Sequence, residues 1–235
     1  MDLKENLELI KLFKGLRVTD VRDGMDWMGY HHYGTVDNSI TPLFRGNTVV
    51  GVARTARYLP YEGPVPHCTP EEYTAWSKNY YATICNYPWV GDIQEGDFIC
   101  LDTANIDVGL MGSANTLTCK KNGAVGFLLN GGGIRDTDEC ILQKIPVWSK
   151  VISQPMVQAR IRYYEKNIPV AIGGVAVYPG DLVVADGDGV IIVPRKIARD
   201  VAKWARREAV NDKAGRKQLY QDLGMELDET VMELD

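Results

Sequence analysis

Between residues 96 and 150 the chain alternates apolar runs with helix-patterned runs in a fixed order: FICLD, GSANTLTCKKNG, AVGFLLN, GGGIRD and IPVWSK. A strand, helix, strand, helix, strand succession forces the strands to pair in parallel, because each crossover returns the chain to the same end of the sheet. In this reading GGGIRD is a glycine turn leading into a short helix. Residues 169–194 change character, with short β-rich runs separated by Gly-Gly, Pro-Gly-Asp and Asp-Gly-Asp-Gly. Such punctuation predicts antiparallel hairpins. The two patterns together predict an α/β fold of three layers, β/β/α, and not a plain doubly wound sheet.

The flanking segments are helical. Residues 3–14 and 19–28 carry helical spacing, the second opened by Thr19 as a cap ahead of Val21, Met25 and Met28. Residues 48–58 (TVVGVARTARY) read as a strand. Thr69-Pro70-Glu71-Glu72 combines a Thr cap, a proline at the first helical position and a Glu three residues after the cap, so a helix runs from there to about Cys85. That helix and its exit concentrate Tyr73, Trp76, Tyr80, Tyr81, Tyr87 and Trp89. Core and subunit packing or the wall of a ligand pocket both account for them. From Arg195 the chain is helical and charged, and it finishes in an acidic tail over residues 225–235. No repeat or Ser/Pro-rich linker divides it, so a single domain is expected: helical residues 1–47, a β/β/α core over 48–194 and a helical extension over 195–235.

Charge and cysteine content narrow the function classes. With 26 Lys+Arg against 31 Asp+Glu among 235 residues, the net charge is −5, which leaves no electrostatic footprint for non-specific nucleic-acid binding. The longest charge-free apolar stretch, residues 167–180, holds two prolines and falls short of the roughly 20 residues that span a bilayer. The N-terminus lacks the pattern of a signal peptide, and five cysteines without a C-x-x-C pair read as free thiols of a cytoplasmic protein. His67-Cys68 is the one His/Cys adjacency, and neighbours on a strand face opposite ways, which argues against zinc. Asp186-Gly187-Asp188-Gly189 lacks the closing Glu of a calcium loop and reads as a hairpin turn.

The chemistry concentrates in Asn130-Gly131-Gly132-Gly133-Ile134-Arg135-Asp136. Three glycines at the carboxyl end of an apolar strand leave backbone N–H groups free to face a ligand, although a tight turn needing positive φ explains them equally well. The run matches neither nucleotide-binding glycine pattern. Arg135 suits a carboxylate or enolate oxygen, Asp136 suits a hard cation, and Glu139 lies one helical turn beyond. A dipole-and-salt-bridge pair at a helix start is the plainer explanation of the same residues.

These residues, in order with Gly96-Asp97, Asp102, Gly112, Pro146-Val147, Gly173-Gly174-Val175, Pro179-Gly180-Asp181, Asp186, Gly189 and Pro194, resemble the regulator-of-ribonuclease-activity-A-like (RraA-like) family. That family includes class II aldolases acting on 4-hydroxy-4-methyl-2-oxoglutarate and 4-carboxy-4-hydroxy-2-oxoadipate. The match is good over roughly residues 90–210 and holds in layout only before that. The resemblance implies a swivelling β/β/α fold assembled as trimers or hexamers, with sites between subunits. It also implies that Arg135 and Asp136 fall on the pair that binds the pyruvyl group and a Mg²⁺ or Mn²⁺ ion. Ribonuclease-regulating relatives typically lack that Asp, so Asp136 favours a metal enzyme.

What the resemblance implies is therefore a lyase acting on a small 2-oxo acid, by retro-aldol cleavage or by decarboxylation of the oxaloacetate type. Arg135 and Asp136 are its catalytic residues, Gly112, Ser113, Ala114 and Asn115 join Arg135 in binding a small carboxylate, and Asp136 and Glu139 hold the metal. One departure stands out: the aldolases carry an acidic residue after the glycine matching Gly112, and here it is Ser113. Serine cannot act as a carboxylate base at neutral pH. Asn115, His67, His31 and His32 are the candidates for the missing group, and Glu208 and Asp212 for an acid supplied by a neighbouring subunit. The alternatives are a non-catalytic regulator that binds a ribonuclease or other protein, and a metal enzyme of this fold with different chemistry.

Overall fold

The structure, a computed structural model, describes residues 2–234, which leaves Asp235 of the acidic tail outside. In chain order the elements are α1 (Leu3–Leu12), α2 (Val18–Trp27), β1 (Thr41–Pro42), β2 (Val49–Pro60), α3 (Pro70–Thr83), β3 (Asp97–Asp102) and α4 (Ser113–Asn122). There follow β4 (Gly126–Ile134), α5 (Thr137–Leu142), β5 (Val147–Ile152), β6 (Ile161–Lys166), β7 (Val170–Ile172), β8 (Val175–Val177), β9 (Leu182–Asp186), β10 (Gly189–Val193) and α6 (Ala198–Asp222).

The large sheet runs β1-β5-β4-β3-β2-β9-β10, with β6 also paired to β2. Strands β3, β4 and β5 are parallel, as the alternation demands, β2 pairs in parallel with β3, and β9 and β10 form an antiparallel hairpin. Side chains alternate across the sheet. Ala53, Phe98, Cys100, Leu128 and Trp148 pack on the separate β7–β8 hairpin. Ala56, Ile99, Leu101, Phe127 and Val147 face the opposite way, toward the helical layer that contains Tyr80, Cys119 and Cys140. Helices α1, α2 and α6 cover Val52, Leu182, Val184, Ile191 and Val193 on that same side. Hairpin, sheet and helices are the three layers expected from sequence.

Three local expectations change. Helix α2 starts from Arg17, not Thr19: Asp20 reaches back to accept the Arg17 N–H at 2.8 Å, so an acidic residue inside the first turn performs the capping. Gly131, Gly132 and Gly133 are not a turn but the end of β4, which continues to Ile134 with an irregular register against β5. The reason is long-range. The chain after β3 crosses directly over these glycines: Gly132 N–H donates to Ile106 O at 2.6 Å, and a Cβ at Gly132 would collide with the backbone of Ile106 and Val108. Strand β6, which sequence patterning did not indicate, adds to the far half of β2.

The candidate site at the end of strand β4

Segment 109–111 is laced to the end of β4 by two hydrogen bonds, Met111 N–H to Gly133 O at 2.8 Å and Arg135 N–H to Met111 O at 3.0 Å. This lacing brings the start of α4 against the turn that follows β4. Gly112 precedes α4, and no side chain caps that helix, so the amides of its first turn stay open to an anion. The carboxylate of Asp136 takes one of them, accepting the Ser113 N–H at 3.2 Å.

Asp136 sits in the left-handed region at φ 57°, ψ 41°, a conformation uncommon for a residue with a side chain. Such backbone strain concentrates at functional sites. Arg135 Nε lies 3.8 Å from Asp136 Oδ1, and both side chains are a third or more exposed, at 35% and 39%. Two glycines make the space: a Cβ at Gly109 would stand 2.7 Å from Arg135 Cδ, and one at Gly112 would collide with the Asp136 carboxylate.

The sequence-designated residues therefore divide. Gly112, Ser113, Arg135 and Asp136 come together. Asn115 is near, its amide donating to Leu110 O at 3.4 Å. Ala114 follows Ser113 in the first turn of α4. Glu139 is exposed on α5, one turn past Asp136. No group of three His, Cys, Asp or Glu side chains that could hold a metal occurs among the described residues. His31 pairs with Asp26 at 3.4 Å and lies beside His32, away from these contacts, and His67 is exposed before α3. Glu208 and Asp212 are paired within their own chain, to Arg207 at 2.8 Å and to Arg216 at 3.2 Å.

The role of Tyr87 at this site was not apparent from sequence. Its hydroxyl donates to Leu110 O at 3.1 Å, the same carbonyl that Asn115 engages. Burial, aided by Cys85 and Tyr81, pushes its phenol well above the ordinary range, while the nearby Arg135 charge and Asn115 pull it down. Tyr87 therefore stays a hydrogen-bond donor at any physiological pH. Its place in a dense aromatic run was the available signal, but that run gave no hint of which ring turns toward Leu110.

A donor set of one exposed carboxylate completed by water suits Mg²⁺, which gives up its hydration reluctantly and usually binds through one or two carboxylates. Asp136 accepts a single amide bond and remains open to solvent, so the residues present fit such an ion.

Comparison with known proteins places the geometry in context. The RraA-like family model, described as Aldolase/RraA, matches residues 18–192. Protein DlpA of Legionella pneumophila is 27% identical over 164 residues, which cover 69% of this chain but only 24% of DlpA. A protein of Halalkalibacterium halodurans named "Putative 4-hydroxy-4-methyl-2-oxoglutarate aldolase" is 25% identical over 88% of this chain and 87% of its own length. The crystal structure of an uncharacterized protein from Pseudomonas syringae superposes with a TM-score of 0.72 at 23% identity, over 96% of this chain and 98% of that one. That likeness extends the shared fold across nearly the whole chain.

Proposed function

Because this chain belongs to the RraA-like family, we propose that it is a divalent-metal-dependent carbon–carbon lyase for a small 2-oxo acid, acting by retro-aldol cleavage to pyruvate or by decarboxylation of the oxaloacetate type. The observation that carries this reading is the Arg135–Asp136 turn, whose carboxylate also engages the Ser113 amide at the uncapped start of α4.

Arg135 forks onto the carboxylate or oxo oxygen of the substrate, and the amides around Gly112, Ser113, Ala114 and Asn115 receive its carboxylate. Asp136, with Glu139 and water, would hold Mg²⁺ or Mn²⁺. When bound, the ion supplies Lewis-acid polarisation of the oxo group. In retro-aldol cleavage the C3–C4 bond breaks and its electron pair enters the C2–C3 unit as an enolate, while the C4 hydroxyl loses its proton to become a carbonyl. In decarboxylation the same pair is released as CO₂ departs. Arg135 stabilises the negative charge that grows on the oxygen in either case. Neither Ser113 nor Asn115 is a base at neutral pH, so the hydroxyl proton of the retro-aldol route passes to solvent at the exposed Asp136 side, and in both routes solvent delivers a proton to C3 of the enolate to give pyruvate.

Homo-oligomeric assembly as a trimer or hexamer accords with the exposed apolar residues beside this turn, Leu142 at 83% and Ile152 at 64%. Cytoplasmic residence accords with five unpaired cysteines. No helix among the described residues is long and apolar enough to cross a membrane. Ser113 in place of the usual acid favours a metal enzyme of this fold with other chemistry as the second reading, beside the alternative of a non-catalytic regulator that binds a ribonuclease or another protein.

The test is a chelator-stripped protein given oxaloacetate with and without Mg²⁺ or Mn²⁺ while pyruvate is followed. Metal-restored turnover lost in Arg135→Ala and Asp136→Ala supports the lyase. Metal binding without turnover on any 2-oxo acid supports the different chemistry, and absence of metal binding supports the regulator.

A further inference from the structure

On the hairpin side of the sheet, opposite the helical layer, Arg57, Asp102 and Asn130 form one cross-strand row level with the carboxyl end of β3, in the later half of β2 and the middle of β4. The row borders a cavity of about 450 Å³ that also takes in Lys150 from β5, Asn105, and Gly173 of the β7–β8 turn. Ligands of parallel α/β sheets settle at this end of the strands.

The polar groups there are unequally engaged. Asp102 is 2% exposed and fully occupied: it accepts Ala104 N–H at 2.9 Å and the Asn130 amide at 3.2 Å, and it pairs with Arg57 Nε at 3.3 Å. Asn130 is further fixed by donating to Ala171 O at 3.0 Å. Arg57 is thus aimed by a buried carboxylate, yet it donates no aligned hydrogen bond among the described residues, and its Nε is buried without one. Lys150 Nζ has one long contact, 3.4 Å to Asn105 Oδ1. The remaining charge at the rim, Asp37, is exposed, accepts the Ser39 amide at 2.9 Å and lies near enough to Lys150 to feel its charge, so an incoming anion competes with it for Lys150. Ala104 and Asn105, which edge the cavity, are consecutive residues in the left-handed region at φ 52° and 60°. Backbone held this way recurs at ligand clamps.

The geometry points to a second ligand site, in which Arg57 and Lys150 grip one oxyanion of a small molecule within this cavity. A guanidinium and an ammonium lining one cavity are the groups that a carboxylate or phosphate selects. No residue of this cavity belongs to the Arg135–Asp136 turn or to the start of α4, so the site stands or falls independently of the lyase reading.

Calorimetric titration of the full chain with malonate and, separately, inorganic phosphate tests it. With Arg135→Ala as the background, which removes the carboxylate fork of the proposed lyase site, the expected result is one anion per chain for at least one of the two, weakened about tenfold or more by adding Lys150→Met or Arg57→Lys. Malonate alone binding marks a carboxylate ligand, and phosphate alone a phosphorylated one. Lys150 is exposed and removes no buried partner, so its variant reports on binding and not on folding. The proposal is overturned if neither anion binds the Arg135→Ala background at about 20 mM, or if adding Lys150→Met leaves that binding unchanged.

Discussion

The Asp136 carboxylate accepts the Ser113 amide at 3.2 Å, so one side chain ties the turn after β4 to the first residue of α4. The same carboxylate is the proposed metal ligand, and these two duties can be separated. Asn tolerates the left-handed backbone and can still accept the amide hydrogen bond, but it carries no charge. Asp136→Asn is expected to unfold within about 2 °C of the parent and to lose at least about 100-fold in metal-dependent turnover. Thermal unfolding and the oxaloacetate assay read the two effects side by side.

Gly112 sits at φ −148°, an extended conformation open to any residue, so its role is steric. A methyl group there would push into Asp136. Gly112→Ala should therefore keep the fold while displacing the carboxylate, with apparent Mg²⁺ affinity falling by about 10–100-fold, as read by isothermal titration.

Much of this arrangement was legible from sequence, and the exceptions share a cause. The start of α3 was readable because its chemistry is local: Thr69 N–H donates to Glu72 Oε2 at 2.8 Å within four residues of chain. The parallel order of β3, β4 and β5 followed from alternation alone. Gly131–Gly133 read as a turn from sequence because their straight path depends on residues 106–108 crossing them, a contact that no periodicity encodes. The Arg57–Asp102–Asn130 row needs strand register, which sequence does not state. Arg135 and Asp136 stood out through family resemblance, whereas the turn of Tyr87 toward Leu110 emerged only in three dimensions.

Arg54 and Asp97 form a buried pair on neighbouring strands, Nε to Oδ2 at 2.8 Å, with side chains 9% and 1% exposed. Removing one partner strands the other charge in the core. Arg54→Met should cost about 3–5 kcal/mol in urea unfolding, and adding Asp97→Asn should recover part of that loss.

Asp23 lies on α2 with its carboxyl raised above the ordinary value of 3.8, first by burial and then by Asp20, Asp212, Asp26 and Glu208. The folded state therefore holds this proton more tightly than the unfolded one, and ionisation of Asp23 removes stability as pH rises from 3.8 through the folded value. Asp23→Asn should raise the midpoint of urea unfolding at about pH 7, and the gain should disappear below the titration of the native carboxyl. Parallel denaturation series at the two pH values check the sign.

Enolate formation at the Arg135–Asp136 turn is read most directly by solvent deuterium entering the methyl group of pyruvate, followed by proton NMR, without requiring the natural substrate. The expected exchange needs Mg²⁺ or Mn²⁺, stops with chelator, and falls at least about 100-fold in both Arg135→Ala and Asp136→Asn. Metal-dependent exchange that persists at the parental rate in either variant would contradict that placement, because the enolate would then be stabilised somewhere other than this turn.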